Sequence, residues 1–557
     1  MAEWEQIARK HSEEQKKKIP SDWLLDNDKL EQLRGAGTAQ EGRLIDLRAA
    51  KKSGILDSNE MNITENYTAR ELAGHIRQGT LSAERVVTAY CKRAAVAQQL
   101  TSCLTEIFFE DGIERARWLD KQMRETGKVP LTLSLAANNS STDIIQDSLH
   151  VDGHFASVGY VAFLIQDRPQ GNAALVKLLL DAGAVLYCKT NIPQTMMAST
   201  CDSENNIFGR TLNPHNTKLT AGGSSGGEGA LVAFRGSPLG IGSDLAGSVR
   251  IPAFCCGVYG FRPTVDRIPF AGQSLSPWPM NWMSAVMPAL GPLANSADDL
   301  SLLMEVVTKL NPWRYDGSAI NLSWRTLDEP RSKPLTIGIL PEDPEYILHP
   351  PVRRTLAEAA SALEKAGHKV VHLATDAKRS AALGARISYQ YFSISAPAVA
   401  DFGEPFVASV AKGMHPFSTG DFPVDPKLDI PGQYTGLNMA RAAYAQAWSQ
   451  TWQEHDLDIV LAPGASCTAV PHDTFGLPVY TVMWSLIDFP AAVIPFGTGS
   501  ATRDSEPQKA IAEFAPDYIP EATDGAPCAV QIIAPRFRDE ECLEAVGVID
   551  QILNARQ

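Results

Sequence analysis

Residues 220–264 read TAGGSSGGEGALVAFRGSPLGIGSDLAGSVRIPAFCCGVYGFRPT, and the rest of the chain is organised around them. Ser224 and Ser225 lie between Gly222-Gly223 and Gly226-Gly227, and Ser248 follows inside Asp244-Leu245-Ala246-Gly247-Ser248. Glycine tolerates positive φ and presents no Cβ, so four glycines around two hydroxyls predict a strained turn with exposed N–H groups. From Glu228 to Phe234 the pattern is helical, so the turn opens a helix whose N-terminal dipole favours anions. Ser248 sits in a second turn of small residues. Each loop alone also suits a Gly-rich connection in a large α/β fold. The pair at this spacing, with Asp244, Arg250 and Pro252 in place, is far more specific.

GGSSGGEGAL followed by GIGSDLAGSVRIPA closely resembles the amidase signature family of serine hydrolases, in the branch of acetamidases and fatty-acid amide hydrolase. The resemblance implies that Ser248 is the acyl-forming nucleophile and that Ser224, after a cis peptide, relays its proton to a lysine. It implies that the N–H groups of Leu245, Ala246, Gly247 and Ser248 form the oxyanion hole. It places Ser225 and Met196 at the substrate. The chemistry needs such parts. A serine hydroxyl is a poor nucleophile until a base takes its proton, and pre-aimed donors for the oxyanion are worth roughly 3–4 kcal/mol each. Relatives usually carry two glycines before the nucleophile. Here Ala246 replaces the first, which keeps the N–H and narrows the hole.

The span GKVPLTLSLAANNSSTDIIQDSLHVD, residues 127–152, departs most from that family. Its members have a strand here ending in Lys-Asp, with the lysine as base, and this chain has Gln146-Asp147. A carboxamide is not basic and cannot take a proton from Ser224. Losing one member of such a triad lowers turnover on the order of 10⁴- to 10⁶-fold. Lys189, in a neighbouring strand end that family members share, is not an obvious substitute. Two explanations fit Gln146: a true pseudo-enzyme, or a mis-spliced transcript supplying residues 129–146. Val129 and Gln146 can be encoded by GT and CAG ends, as a retained short intron would require.

With 44% hydrophobic and 20% charged residues among 557, the chain can bury a large core. Its net charge of -14 argues against nucleic acid and against an anionic membrane surface as partners. The nine cysteines show no CxxC pair, so neither a disulfide framework nor a zinc site is implied. A cytoplasmic location is expected, since the charged N-terminus has no apolar signal region and no apolar run reaches the roughly 18 residues of a spanning helix.

Residues 1–60 read as an N-terminal helical arm with Trp4, Trp23 and Leu24 facing the body. Thr68 to Glu71 forms a capping box, and Ser82 and Ser296 each cap a further helix. Residues 172–183 predict an amphipathic helix leading into a buried strand at 184–187, and strands at 335–340 and 369–373 flank a helix over 352–366. This βα alternation indicates a mainly parallel sheet with helices on its faces. Met196 serves either the substrate pocket or ordinary core packing. The aromatic and Pro/Gly-rich span 375–450 covers either the site or a sheet edge, and His415 within it has no metal-ligand pattern.

The sequence therefore predicts an α/β fold: one amidase-signature domain over 60–555, its signature core at about 185–265, built on a mixed, mostly parallel twisted sheet surrounded by helices. The expected reaction is hydrolysis of a carboxylic amide to the acid plus ammonia or amine, with no metal and no cofactor. The partner is a small-molecule amide, with a homodimer as an allowed assembly. Two alternatives stand beside it: a catalytically silent amidase-like protein, and the glutamine-hydrolysing subunit of an amidotransferase.

Overall fold

The computed structural model describes residues 2–126, 142–166, 168–196, 201–274, 285–325, 327, 333–394, 403–411 and 422–555. Its strands in chain order are β1 (Leu104–Ile107), β2 (Thr142–Gln146), β3 (Val185–Thr190), β4 (Glu204–Asn205), β5 (Gly209–Arg210), β6 (Leu239–Asp244) and β7 (Tyr259–Arg262). They continue with β8 (Ala289–Ala294), β9 (Thr336–Ile339), β10 (Lys369–His372), β11 (Ile459–Pro463), β12 (Ala491–Thr498) and β13 (Pro527–Ile533). Strands β4 and β5 pair only with each other. The other strands form one sheet in the order β1-β3-β2-β6-β8-β7-β12-β13-β11-β9-β10.

The sheet is mixed, and the expectation of mostly parallel pairing holds only towards its two flanks. Pairs β3-β2, β2-β6, β11-β9 and β9-β10 are parallel, while the central run from β6 to β11 and the β1 edge are antiparallel. The parallel pairs β2-β3 and β9-β10 arise where a helix carries the chain back over the sheet, through Ala174–Ala182 and Pro350–Lys365. The helical period of 172–183 and 352–366 revealed those crossovers. Apolar runs such as β12 and β13 carry no mark of strand direction.

Side chains of a strand alternate between faces, so the sheet separates two apolar cores. Ala492 and Ile494 of β12 enter one core and Val493 the other. Leu239 and Ile241 of β6 lie in the first, which leaves Gly240 and Gly242 facing the opposite way, towards the helix Gly226–Ala233. A Cβ at Gly240 would lie 2.8 Å from Glu228 Oε1, and one at Gly242 the same distance from Ser225 Cβ. This helix therefore rides close to the sheet because β6 offers it bare backbone.

The expected caps form where the sequence places them. Thr68 accepts from Glu71 N in a capping box, Ser82 from Arg85 N and Ser296 from Asp299 N. The first 66 residues carry the helices Glu3–Lys17, Asn27–Arg34, Ala49–Ser53 and Ser58–Asn66. Leu33, Leu44 and Ile63 join the second core, Trp4 packs with Val161 and Ile207, and Trp23 lies against Phe109. Leu24 is exposed. Of the departing span, residues 127–141 lie outside the described residues, as does His415, while 142–146 form β2 between β3 and β6. No helix among the described residues is long and apolar enough to cross a membrane.

Candidate active site

The first serine turn is shaped by close approach more than by unusual dihedrals. Of its four glycines only Gly222 has positive φ, at 82°. A Cβ there would sit 2.8 Å from Pro252 Cα, and one at Gly227 2.6 Å from the carbonyl oxygens of Asn191 and Cys103. Of the two reasons the sequence offers for these glycines, positive φ applies to Gly222 alone, and the missing Cβ applies to all four because neighbouring chain segments touch the turn. The peptide between Gly223 and Ser224 is cis. Ser203 holds the turn from outside: its hydroxyl lies 3.1 Å from Gly222 O and 3.2 Å from Ser224 O, and it accepts from Gly226 N at 3.0 Å.

The second turn leaves β6 at Asp244 and enters the helix Arg250–Cys256. Asp244 and Arg250 are both fully buried. Arg250 donates to the Asp244 carboxylate from Nε at 2.9 Å and from Nη2 at 3.0 Å, and Val249 N donates to it at 3.2 Å. The remaining guanidinium hydrogens reach Thr481 O, Gln531 Oε1 and Ser485 Oγ. Burying two ions costs several kcal/mol each, and full hydrogen bonding of this kind is what offsets it. Burial works against ionised Asp244, but the charges of Arg250 and Arg262 with the Val249 N–H outweigh it and hold the carboxyl below its ordinary range.

That pair fixes the ends of the loop Leu245–Ser248. Gly247 has φ of 137° and is pressed against Thr481 and Ile251. Leu245, Ala246 and Ser248 are half-buried. Among the described residues, none of the N–H groups of Leu245, Ala246, Gly247 and Ser248 donates to a protein acceptor. Four consecutive free donors lie beside a half-buried hydroxyl. Ser225 N donates to Ser248 O at 3.2 Å, which brings the two serine turns together.

Gln146, the last residue of β2, is fully buried against the same turns. Its Oε1 accepts from Ser225 Oγ at 3.1 Å and from Ser243 N at 2.7 Å, and its Nε2 stands 3.9 Å from Met196 Sδ. Gln146 therefore bonds the second serine of the pair, and it presents an acceptor without basicity. Thr195 and Met196 both have positive φ, at 70° and 59°, and this strained turn is what brings Met196 to Gln146.

Lys189 faces elsewhere. Gln146 pairs with Thr190 in β3, and Thr190 Oγ1 bonds Glu228 of the serine helix. Successive strand residues point to opposite faces. Lys189 accordingly donates to Phe155 O at 2.6 Å and lies 3.8 Å from Asp147 Oδ1. Burial pushes its amine below the ordinary lysine range, against the pull of the Asp147 charge. Asp147 in turn accepts from Thr105 Oγ1, Ser157 Oγ and Val158 N.

The structure thus brings together Ser224, Ser225, Ser248, Gln146, Met196 and the 245–248 loop. Sequence reading missed Ser203, Thr481, Ser485 and Gln531, which hold those groups in place. Thr481, Ser485 and Gln531 carry one sequence signal, polarity inside apolar runs such as YTVMWSLIDFP, whereas Ser203 in CDSENN carries none. Among the described residues no group of three or more His, Cys, Asp or Glu is placed to hold a metal ion.

The family profile described as Amidase matches residues 85–543. The chain belongs to this family. Family relatives span its whole length: an "Amidase" of Gibberella moniliformis is 38% identical over 568 aligned residues, covering 99% of both chains. An "Acetamidase" of Emericella nidulans is 33% identical over 577, covering 99% of this chain and 98% of the relative. A solved structure of fatty acid amide hydrolase superposes with a TM-score of 0.84 at 26% identity, over 99% of this chain and 95% of that one.

Proposed function

We propose that this chain is an amidase whose site is built to hydrolyse linear carboxylic amides to the acid plus ammonia or amine. The observation that carries the reading is the loop Leu245–Ser248, whose four N–H groups donate to no protein acceptor among the described residues and whose last residue bears the Ser248 hydroxyl. Ser248 Oγ attacks the amide carbonyl, and the N–H groups of 245–248 receive the oxyanion. The Ser248 proton passes to Ser224, whose own proton goes on to the leaving nitrogen. C–N cleavage leaves an acyl ester on Ser248, and water releases the acid. Relatives named amidase and acetamidase support the substrate class.

Gln146 sits where family members carry the basic lysine, so proton movement through Ser224 lacks its base and turnover is slow. A second reading, a catalytically silent amidase-like protein, is favoured by one observation: Gln146 Oε1 already accepts from Ser225 Oγ and Ser243 N.

Labelling with a fluorophosphonate, together with assays on acetamide and longer aliphatic amides, tests both. The amidase reading expects slow labelling of the parent, none of Ser248→Ala, and strong labelling with rapid turnover in Gln146→Lys. Absence of labelling and turnover in both the parent and Gln146→Lys would establish the silent reading.

A further inference from the structure

Thr481 opens the helix Val479–Leu486, some 230 residues from the serine turns, and is fully buried. Its hydroxyl donates to Ala246 O at 2.6 Å, with Pro478 O a weaker competitor at 3.0 Å. The same residue's carbonyl accepts from Arg250 Nη1 at 3.0 Å, so it is tied to the Asp244–Arg250 pair as well. A Cβ on Gly247 would stand 2.8 Å from Thr481 Cβ, so the helix and the loop are in direct packing contact.

A trans peptide is planar, with its C=O and N–H pointing in opposite directions. Holding Ala246 O towards Thr481 therefore turns the Gly247 N–H away from that helix, where it meets no protein acceptor among the described residues. Gly247, with no Cβ and φ of 137°, offers little resistance to rotation of this peptide by itself. The other torsion that turns this peptide is the ψ of Ala246, which swings the Ala246 carbonyl and the Gly247 N–H together.

We propose that Thr481 is a positioning residue for amide hydrolysis: its hydroxyl fixes the Ala246–Gly247 peptide so that the Gly247 N–H faces the developing oxyanion. The inference rests on the reading of Ser248 as nucleophile. Its energetic weight falls on the transition state, because the ground-state carbonyl oxygen needs the aimed donor less than the oxyanion does.

The test uses the full-length chain carrying Gln146→Lys, with butyramide as substrate. Thr481→Val, which keeps shape and removes the hydroxyl, is expected to lower kcat about 10- to 100-fold with KM within about twofold. Thr481→Ser is expected to restore kcat to within about threefold, since it returns the same donor. An unchanged kcat in Thr481→Val, or a loss confined to KM, would overturn the proposal. A crystal structure of Thr481→Val in the parent background tests it without any activity: a rotated Ala246–Gly247 peptide supports it, and an unrotated one sinks it. Ser248→Ala in the kinetic series separates the two claims. Continued hydrolysis there overturns the nucleophile assignment, while the crystallographic arm still reports on Thr481.

Discussion

The two halves of the candidate site are built in opposite ways. The nucleophile half, residues 220–264, is held by backbone packed on backbone at Gly222 and Gly227, by a buried ion pair, and by side chains from three distant segments. The proposed base position is one side chain, Gln146, at the end of β2, whose strand is secured by main-chain pairing to β3 and β6. Damage to the first half reaches the fold. Exchange of Gln146 changes the chemistry and touches the sheet only through one side-chain bond, from Ser243 N of β6.

Four experiments sharpen or break that contrast. The largest effect belongs to the nucleophile: in the Gln146→Lys chain, Ser248→Ala should lower amide turnover on the order of 10⁶-fold and abolish fluorophosphonate labelling. Retained turnover would show that Ser248 is not the reacting atom. Next comes the proposed base position, where Gln146→Lys should raise turnover of the parent by about 10⁴-fold and cost no more than about 1–3 kcal/mol of stability, through the Ser243 N–H that loses its acceptor. A larger stability change there would break the contrast, because this half would then hold the fold too.

Asp244→Asn should cost about 3–5 kcal/mol in denaturant unfolding, since it leaves Arg250 as a buried charge without a partner. The parent shows the same interaction through pH. Asp244 titrates below its ordinary range when folded, so its stabilisation is present above the unfolded value of about 3.9 and fades as pH falls through the lower folded one. Acid unfolding curves of parent and variant should therefore converge at low pH. The smallest effect is Gly227→Ala, expected to destabilise by about 1–3 kcal/mol by forcing the serine helix off the Asn191 backbone. Full stability in that variant would show that the cradle yields more easily than its contacts indicate.

What the sequence revealed was local. The caps at Thr68, Ser82 and Ser296 depend on residues three apart, and the helices at 172–183 and 352–366 on a 3.6-residue period, so both were readable. The two serine motifs were readable because their glycines have few other uses. That glycines at 223, 226 and 227 leave out a Cβ was readable, but not which neighbours require it: Cys201, Ser203 and Asn191 are brought there only by folding. The antiparallel centre of the sheet escaped for the same reason: β12 and β13 are apolar on both faces and carry no mark of direction. Thr481 and Gln531 lie more than 230 residues beyond the loop they hold, and nothing in their own surroundings announces that task.

The seat of β2 between β3 and β6 has a consequence for how a lineage could lose or regain the proposed activity. Its two neighbours grip peptide groups, which every residue but proline supplies in the same form, and the end of the strand then presents whatever side chain the gene encodes. Selection for a folded protein therefore reaches that position only through the two bonds its side chain accepts, from Ser225 Oγ and Ser243 N. A population could drift there between a working and an idle enzyme at a small difference in stability, and the fate of an amide would tell the two apart most sharply.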